Sequence, residues 1–184
     1  MSTSERIHVA GVVVIAAAAL AACAVPSPAV KPPALGAAVS AEEVARWDIS
    51  IPPSGAGLPK GSGTARQGLQ VYEQKCLACH GAKGVGKPAD VLVGGVGSLA
   101  SKTPLRTVGS YWPYATTLFD YVRRAMPITD PLSLSDDEVY AVSAYVLFLN
   151  GIVGEDAQMN AQSLPQVKMP NRHGFISDWP VRPR

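Results

Sequence analysis

Between residues 65 and 151 the apolar positions recur at the spacing of helices, and no stretch alternates clearly enough to predict a strand. The clearest helix is predicted from Ser135 to Leu149. Val139, Val142, Val146 and Leu149 share one face, Ser135 and Glu138 match a capping box, and Asp136 and Asp137 add negative charge where the helix dipole favours it. Asn150-Gly151 supplies a stop, since either residue adopts a left-handed cap. A second helix is predicted over residues 116–124, with Leu118, Tyr121 and Val122 on one stripe. A third is predicted over residues 65–75, where Gly68 and Tyr72 share a face and Gly68 leaves room for another helix to approach closely.

The flanks read differently. Residues 1–22 have the layout of a secretory signal: a short polar start ending near Arg6, then an apolar run from Val9 to Leu20. Leu20-Ala21-Ala22-Cys23 resembles a bacterial lipobox, so the expectation is a lipoprotein-type signal, with a plain cleaved signal second and an uncleaved anchor third. Several acyl chains at Cys23 would hold the chain firmly to a membrane, which a single chain would not. Residues 23–63 are rich in Pro, Gly and Ala and read as a tether. It holds one helical island at residues 41–47, with Ser40 as N-cap and Glu42 and Glu43 in the first turn. Trp47 and Ile49 either pack onto the folded part or lie on the surface. Residues 64–157 form the folded domain. Residues 158–184, punctuated by Pro165, Pro170, Pro180 and Pro183, hold too few apolar residues for a core of their own. This tail either lies across a partner, anchored by Phe175 and Trp179, or wraps back on its own domain.

Charge narrows the partners little. The formal net charge of +2 points to no nucleic-acid role. Its distribution is uneven: Arg66, Lys75, Lys83, Lys87, Lys102 and Arg106 surround the cysteine motif against only Glu73 and Asp90, whereas Asp130, Asp136, Asp137, Glu138, Glu155 and Asp156 cluster later. Such asymmetry either steers an encounter with a redox partner or is ordinary surface solvation.

The chemistry is concentrated in Cys76-Leu77-Ala78-Cys79-His80, the C-x-x-C-H signature of covalent c-type haem attachment. Two thiols at that spacing reach one porphyrin edge as thioethers, and His80 reaches the iron as the proximal axial ligand. The competing readings are a thioredoxin-like redox pair and half of a zinc site. With Cys76 and Cys79 on haem and Cys23 in the lipobox, none of the 3 cysteines remains for a disulfide framework. Covalent haem implies an exported, oxidising location. For the sixth ligand the downstream candidates are Met126, Met159, Met169 and His173. Met126 is preferred because it directly follows a predicted helix and precedes Pro127, which stiffens the loop. The bland alternative for Met126 is core packing. Trp112 or a neighbouring Tyr hydroxyl is a candidate partner for a haem propionate, with Arg106 as counter-charge; aromatic packing is the alternative.

The order of C-x-x-C-H, helix, Met-Pro and last helix resembles class I cytochromes c, as does a first helix with Gly68 and Tyr72 crossed by a last helix bearing Tyr145. That likeness implies an all-α class I cytochrome c fold: three main helices around one covalently bound haem c, with extended N- and C-terminal segments. A narrower resemblance covers roughly residues 47–175. The run from Thr107 to Pro127, together with Asp136-Asp137-Glu138-Val139-Tyr140-Ala141, Leu149-Asn150-Gly151-Ile152-Val153-Gly154 and Lys168-Met169-Pro170-Asn171-Arg172, is similar to the cytochrome subunit of Sox-type sulfane and sulfite dehydrogenases. The resemblance implies Cys76 and Cys79 as thioethers and His80 and Met126 as axial ligands. It also implies a molybdenum-cofactor dehydrogenase subunit as electron donor and another cytochrome c as acceptor; the expected signal and covalent haem imply a periplasmic location. The chain departs from many such subunits in having one haem motif rather than two, and in its lipobox. A membrane-tethered shuttle between a respiratory complex and a terminal oxidase is the second reading.

Overall fold

The computed structural model describes residues 35–176 and Trp179, so the signal segment, Cys23 and the start of the tether lie outside the described residues. The chain divides into two units, residues 1–41 and 42–184. Of the first, residues 35–40 are exposed and carry no regular element.

Helix α1, Ala41–Trp47, has Glu42 and Glu43 in its first turn and Arg46 in its last, the polarity that the helix dipole favours. It buries nothing, and Trp47 is 81% exposed. Trp47 therefore does not anchor the tether. Ile51 does: its side chain is buried and its N–H donates to Asp120 Oδ1 at 2.8 Å.

Helix α2, Ala65–Lys75, starts on a capping box in which Thr64 Oγ1 accepts from Gln67 N–H and Gln67 Oε1 accepts from Thr64 N–H. Its buried residues are Ala65, Gly68 and Tyr72. The short helix α3, Leu77–His80, follows directly. Helix α4 is Ala115–Ala125, and α5 is Asp136–Leu149, capped reciprocally by Ser135 and Glu138 as expected. Every residue of α5 from Val139 to Leu147 is buried, a wider footprint than the predicted stripe, because α2 and α4 both pack on it. The α2–α5 crossing is close enough that a Cβ added to Gly68 would fall 1.9 Å from the Ala141 carbonyl oxygen. Tyr72 and Tyr145 pack beside it with ring centroids 5.2 Å apart.

Two expectations need correction. A strand pair does exist: β1, Ser62–Gly63, runs antiparallel to β2, Met159–Asn160, with Ser62 opposite Asn160 and Gly63 opposite Met159. Strands this short are below the length at which alternation shows. The boundaries set at residues 63 and 157 also cut through packed structure. Met159, Leu164, Val167 and Met169 are buried in the same core as Phe119, Val139 and Leu147, so the tail wraps back onto its own domain at least to Met169. Its apolar residues are too few for a separate core but complete this one. No helix among the described residues is long and apolar enough to cross a membrane.

Candidate functional site

Cys76 ends α2 and begins α3. Its N–H donates to the Tyr72 carbonyl at 2.9 Å, and its own carbonyl accepts from the N–H groups of Cys79 (3.1 Å) and His80 (2.9 Å). One tight turn thus carries both thiols and the imidazole. Burial, with a smaller contribution from Cys79, pushes the Cys76 thiol up to about 11. A thioredoxin-like nucleophile needs the opposite shift, toward thiolate at neutral pH. The zinc alternative also lacks support, because no group of 3 or more His, Cys, Asp or Glu side chains gathers among the described residues.

His80 Nδ1 lies 3.0 Å from the Asp90 carbonyl oxygen. A carbonyl only accepts, so Nδ1 carries the proton, and in the neutral ring the lone pair then sits on Nε2. That is the tautomer an iron ligand requires, and the hydrogen bond fixes the ring plane. The loop supplying Asp90 is pinned to the motif by Ala89 N–H to the Cys79 carbonyl (2.9 Å) and Gly86 N–H to the His80 carbonyl (2.7 Å). Gly81, just past His80, has φ +69° and a Cβ there would meet the Gly86 carbonyl oxygen at 2.5 Å, so both conformation and space call for glycine. The buried Tyr72 hydroxyl donates to the Gly81 carbonyl at 2.8 Å and ties this turn to the α2–α5 crossing.

Met126 leaves the end of α4 in extended conformation, half-buried, with its N–H still bonded to the Val122 carbonyl. The rival thioethers of Met159 and Met169 are 4% and 3% exposed within the core, and His173 is exposed on the tail. Helix α4 is held by Asp120, which accepts from Arg124 Nε at 3.0 Å as well as from Ile51. Burial pushes the Asp120 carboxyl up, but the Arg124 guanidinium and the Ile51 N–H outweigh it and hold it below the ordinary carboxylate value.

Trp112 and Arg106 do not act on one another. The Trp112 ring stands edge-on to Tyr121 at 5.6 Å, and the Arg106 guanidinium lies 5.7 Å from the Tyr111 ring centre. Of the cations near the motif in sequence, Arg66 pairs with Glu155 and Asp156. Lys75, Lys83, Lys87, Lys102 and Arg106 are exposed and form no ion pair among the described residues. One organising residue escaped sequence reasoning. Asn150 donates to the carbonyls of Leu92 (3.1 Å) and Val146 (2.9 Å) and accepts from Gly94 N–H (3.1 Å), stapling the long loop to the end of α5. As a helix stop it is recognisable in sequence, but as a three-way staple it is not.

Two adjacent unpaired thiols, an imidazole with Nε2 free and a half-buried thioether at a helix end are a donor set that fits covalent haem c. Comparisons with known proteins agree. Residues 63–146 match the family described as cytochrome c oxidase, cbb3-type, subunit III. A chain of the crystal structure of the sulfane dehydrogenase SoxCD from Paracoccus pantotrophus is 40% identical, over 79% of this chain and 72% of that one, with a TM-score of 0.74. The chain belongs to the Sox-type cytochromes c. No curated protein matches it in sequence. This Sox-type cytochrome c has the mostly helical cytochrome c fold, binds haem c covalently and transfers electrons.

Proposed function

We propose that this Sox-type cytochrome c is the electron-transfer subunit of a molybdenum-dependent dehydrogenase acting on sulfite or another sulfur compound, taking electrons from the molybdenum subunit and passing them to another cytochrome c. The observation that carries this reading is the 40% identity to a chain of the sulfane dehydrogenase SoxCD, spread over 72% of that chain. Haem c, when bound, supplies a one-electron iron couple. The rest is the work of this chain's residues. Cys76 and Cys79 would form the thioethers, and His80 Nε2 and the Met126 sulfur would hold the iron. The Asp90 carbonyl keeps His80 in the ligating tautomer. A thioether ligand favours the ferrous state and raises the potential, which suits accepting electrons from a reducing donor. The unpaired Lys75, Lys83 and Lys87 put positive charge beside the attachment turn, where it steers an acidic partner. Trp112 and Arg106 are the candidate contacts for a haem propionate, Trp112 packed edge-on against Tyr121 and Arg106 exposed over the Tyr111 ring. The signal at residues 1–22 and a lipid on Cys23 place the protein in the periplasm, tethered to a membrane.

The test is to extract native membranes in mild detergent, isolate the protein with whatever it holds, and add sulfite while recording the haem bands. Prompt reduction that the cytochrome made alone does not show supports a bound sulfite-oxidising subunit. A sample that dithionite reduces, that sulfite does not, and that contains no molybdenum favours the free shuttle. Molybdenum without sulfite-driven reduction keeps the complex and changes the substrate.

A further inference from the structure

We propose that Asn171 and Arg172 in the C-terminal segment are positioning residues for the methionine side of the haem, acting through the aromatic turn that starts α4. This rests on the reading that Met126 binds the iron.

The segment is anchored first. Met169 is buried in the core, and the next residues turn back through Arg172 N–H to the Met169 carbonyl and Gly174 N–H to the Asn171 carbonyl, both 3.1 Å. From that anchor they clamp residues 111–114. Asn171 Nδ2 donates to the Tyr111 carbonyl at 2.8 Å. The Arg172 guanidinium stacks over the Tyr114 ring, 4.4 Å from its centre. Phe175 stands edge-on to Tyr111 at 5.1 Å. Three contacts from one short segment thus converge on one turn.

That turn is where α4 begins. Tyr114 is the N-cap of α4, yet its side chain caps nothing, so the helix start lacks the usual local lock. Inside the turn, Trp112 packs edge-on against Tyr121, one helical turn before the C-terminal end of α4. Met126 follows directly at the helix C-cap. A shift of the turn is therefore passed along a rigid helix to the ligand, at one end through the cap and at the other through the Trp112–Tyr121 contact. A guanidinium stacked on an aromatic face and a side-chain amide on a carbonyl are both position-dependent contacts, which distinguishes this clamp from general burial of the tail.

The experiment uses the full-length holoprotein in four forms: wild type, Asn171→Ala, Arg172→Ala and Arg172→Lys. Three quantities are read at equal haem content: the far-red sulfur-to-iron charge-transfer band of the oxidised protein, the midpoint potential, and the melting temperature. The expected result is a weakened band and a lowered potential in N171A and R172A, with R172K recovering both because the cation–aromatic contact survives. A lowered melting temperature with band and potential unchanged in both alanine variants overturns the proposal and leaves the clamp purely structural. If R172A does not fold, N171A alone decides between the same two outcomes. Met126→Ala separates the underlying reading: if it leaves the band unchanged, Met126 is not the ligand, and the failure lies there rather than in the clamp.

Discussion

Replacing Gly68 with alanine tests the packing on which the attachment turn stands. The new Cβ would meet the Ala141 carbonyl oxygen at 1.9 Å, the Ala141 carbonyl carbon at 2.5 Å and the Tyr145 Cβ at 2.8 Å. The nearest two atoms are α5 backbone, so no side-chain rotation relieves the clash, and the helices must separate by more than an ångström. Separation also loosens the contact between Tyr72 and Tyr145. Overpacking of this kind costs about 1–3 kcal/mol, and a rigid backbone neighbour puts it at the upper end. The better helix propensity of alanine offsets about 1 kcal/mol. A net loss of about 2 kcal/mol then lowers the melting temperature by roughly 4–8 °C in a chain of this size. The assay is thermal unfolding of the oxidised holoprotein by circular dichroism, with Gln70→Ala, exposed on the same helix, as the control. Because α2 ends at Cys76, G68A should also reduce the fraction of chains that acquire haem. A G68A protein as stable as wild type, with normal haem content, would refute the close crossing and with it the argument for glycine at this position.

Met126→Ala is expected to remove the far-red charge-transfer band and lower the midpoint potential, as read by absorption spectra during a redox titration. Asp120→Asn should cost about 1–3 kcal/mol at neutral pH, because Arg124 and the Ile51 N–H lose a charged acceptor. The Asp120 carboxyl is held below its ordinary value, so its contribution is fully present above about pH 4 and is lost as pH falls through the lower folded value. The stability difference between wild type and D120N, followed by denaturant titration, should therefore stay flat from pH 7 to about pH 5 and close in stronger acid. Cys23→Ser should move the mature protein from the membrane fraction to the soluble periplasmic fraction, as followed by haem stain after osmotic lysis. Persistence in the membrane would remove the lipid-anchor reading.

What was legible in the chain and what was not follows from the range of the forces involved. The attachment motif and the α5 cap are local: Cys76 to His80 make one turn, and Ser135 reaches only as far as Glu138, so spacing alone specifies them. The α2 cap, Thr64 with Gln67, is equally local and was there to be read. The flanks are the opposite case. Ile51 is held by Asp120, and Gly63 by Met159, across most of the domain, and nothing near Ile51 or Met159 in sequence announces those partners. A few apolar residues in a polar, proline-rich stretch look like a tether when judged by whether they can form a core. They become core when a neighbouring surface offers a place for them, as α5 does for Met159. The aromatic turn shows the same limit at short range. Tyr111 and Trp112 are adjacent in sequence but point to different partners, Arg106 and Phe175 for one and Tyr121 for the other. The contacts give the two residues different neighbours: Tyr111 receives the tail, and Trp112 packs on the helix that ends at Met126.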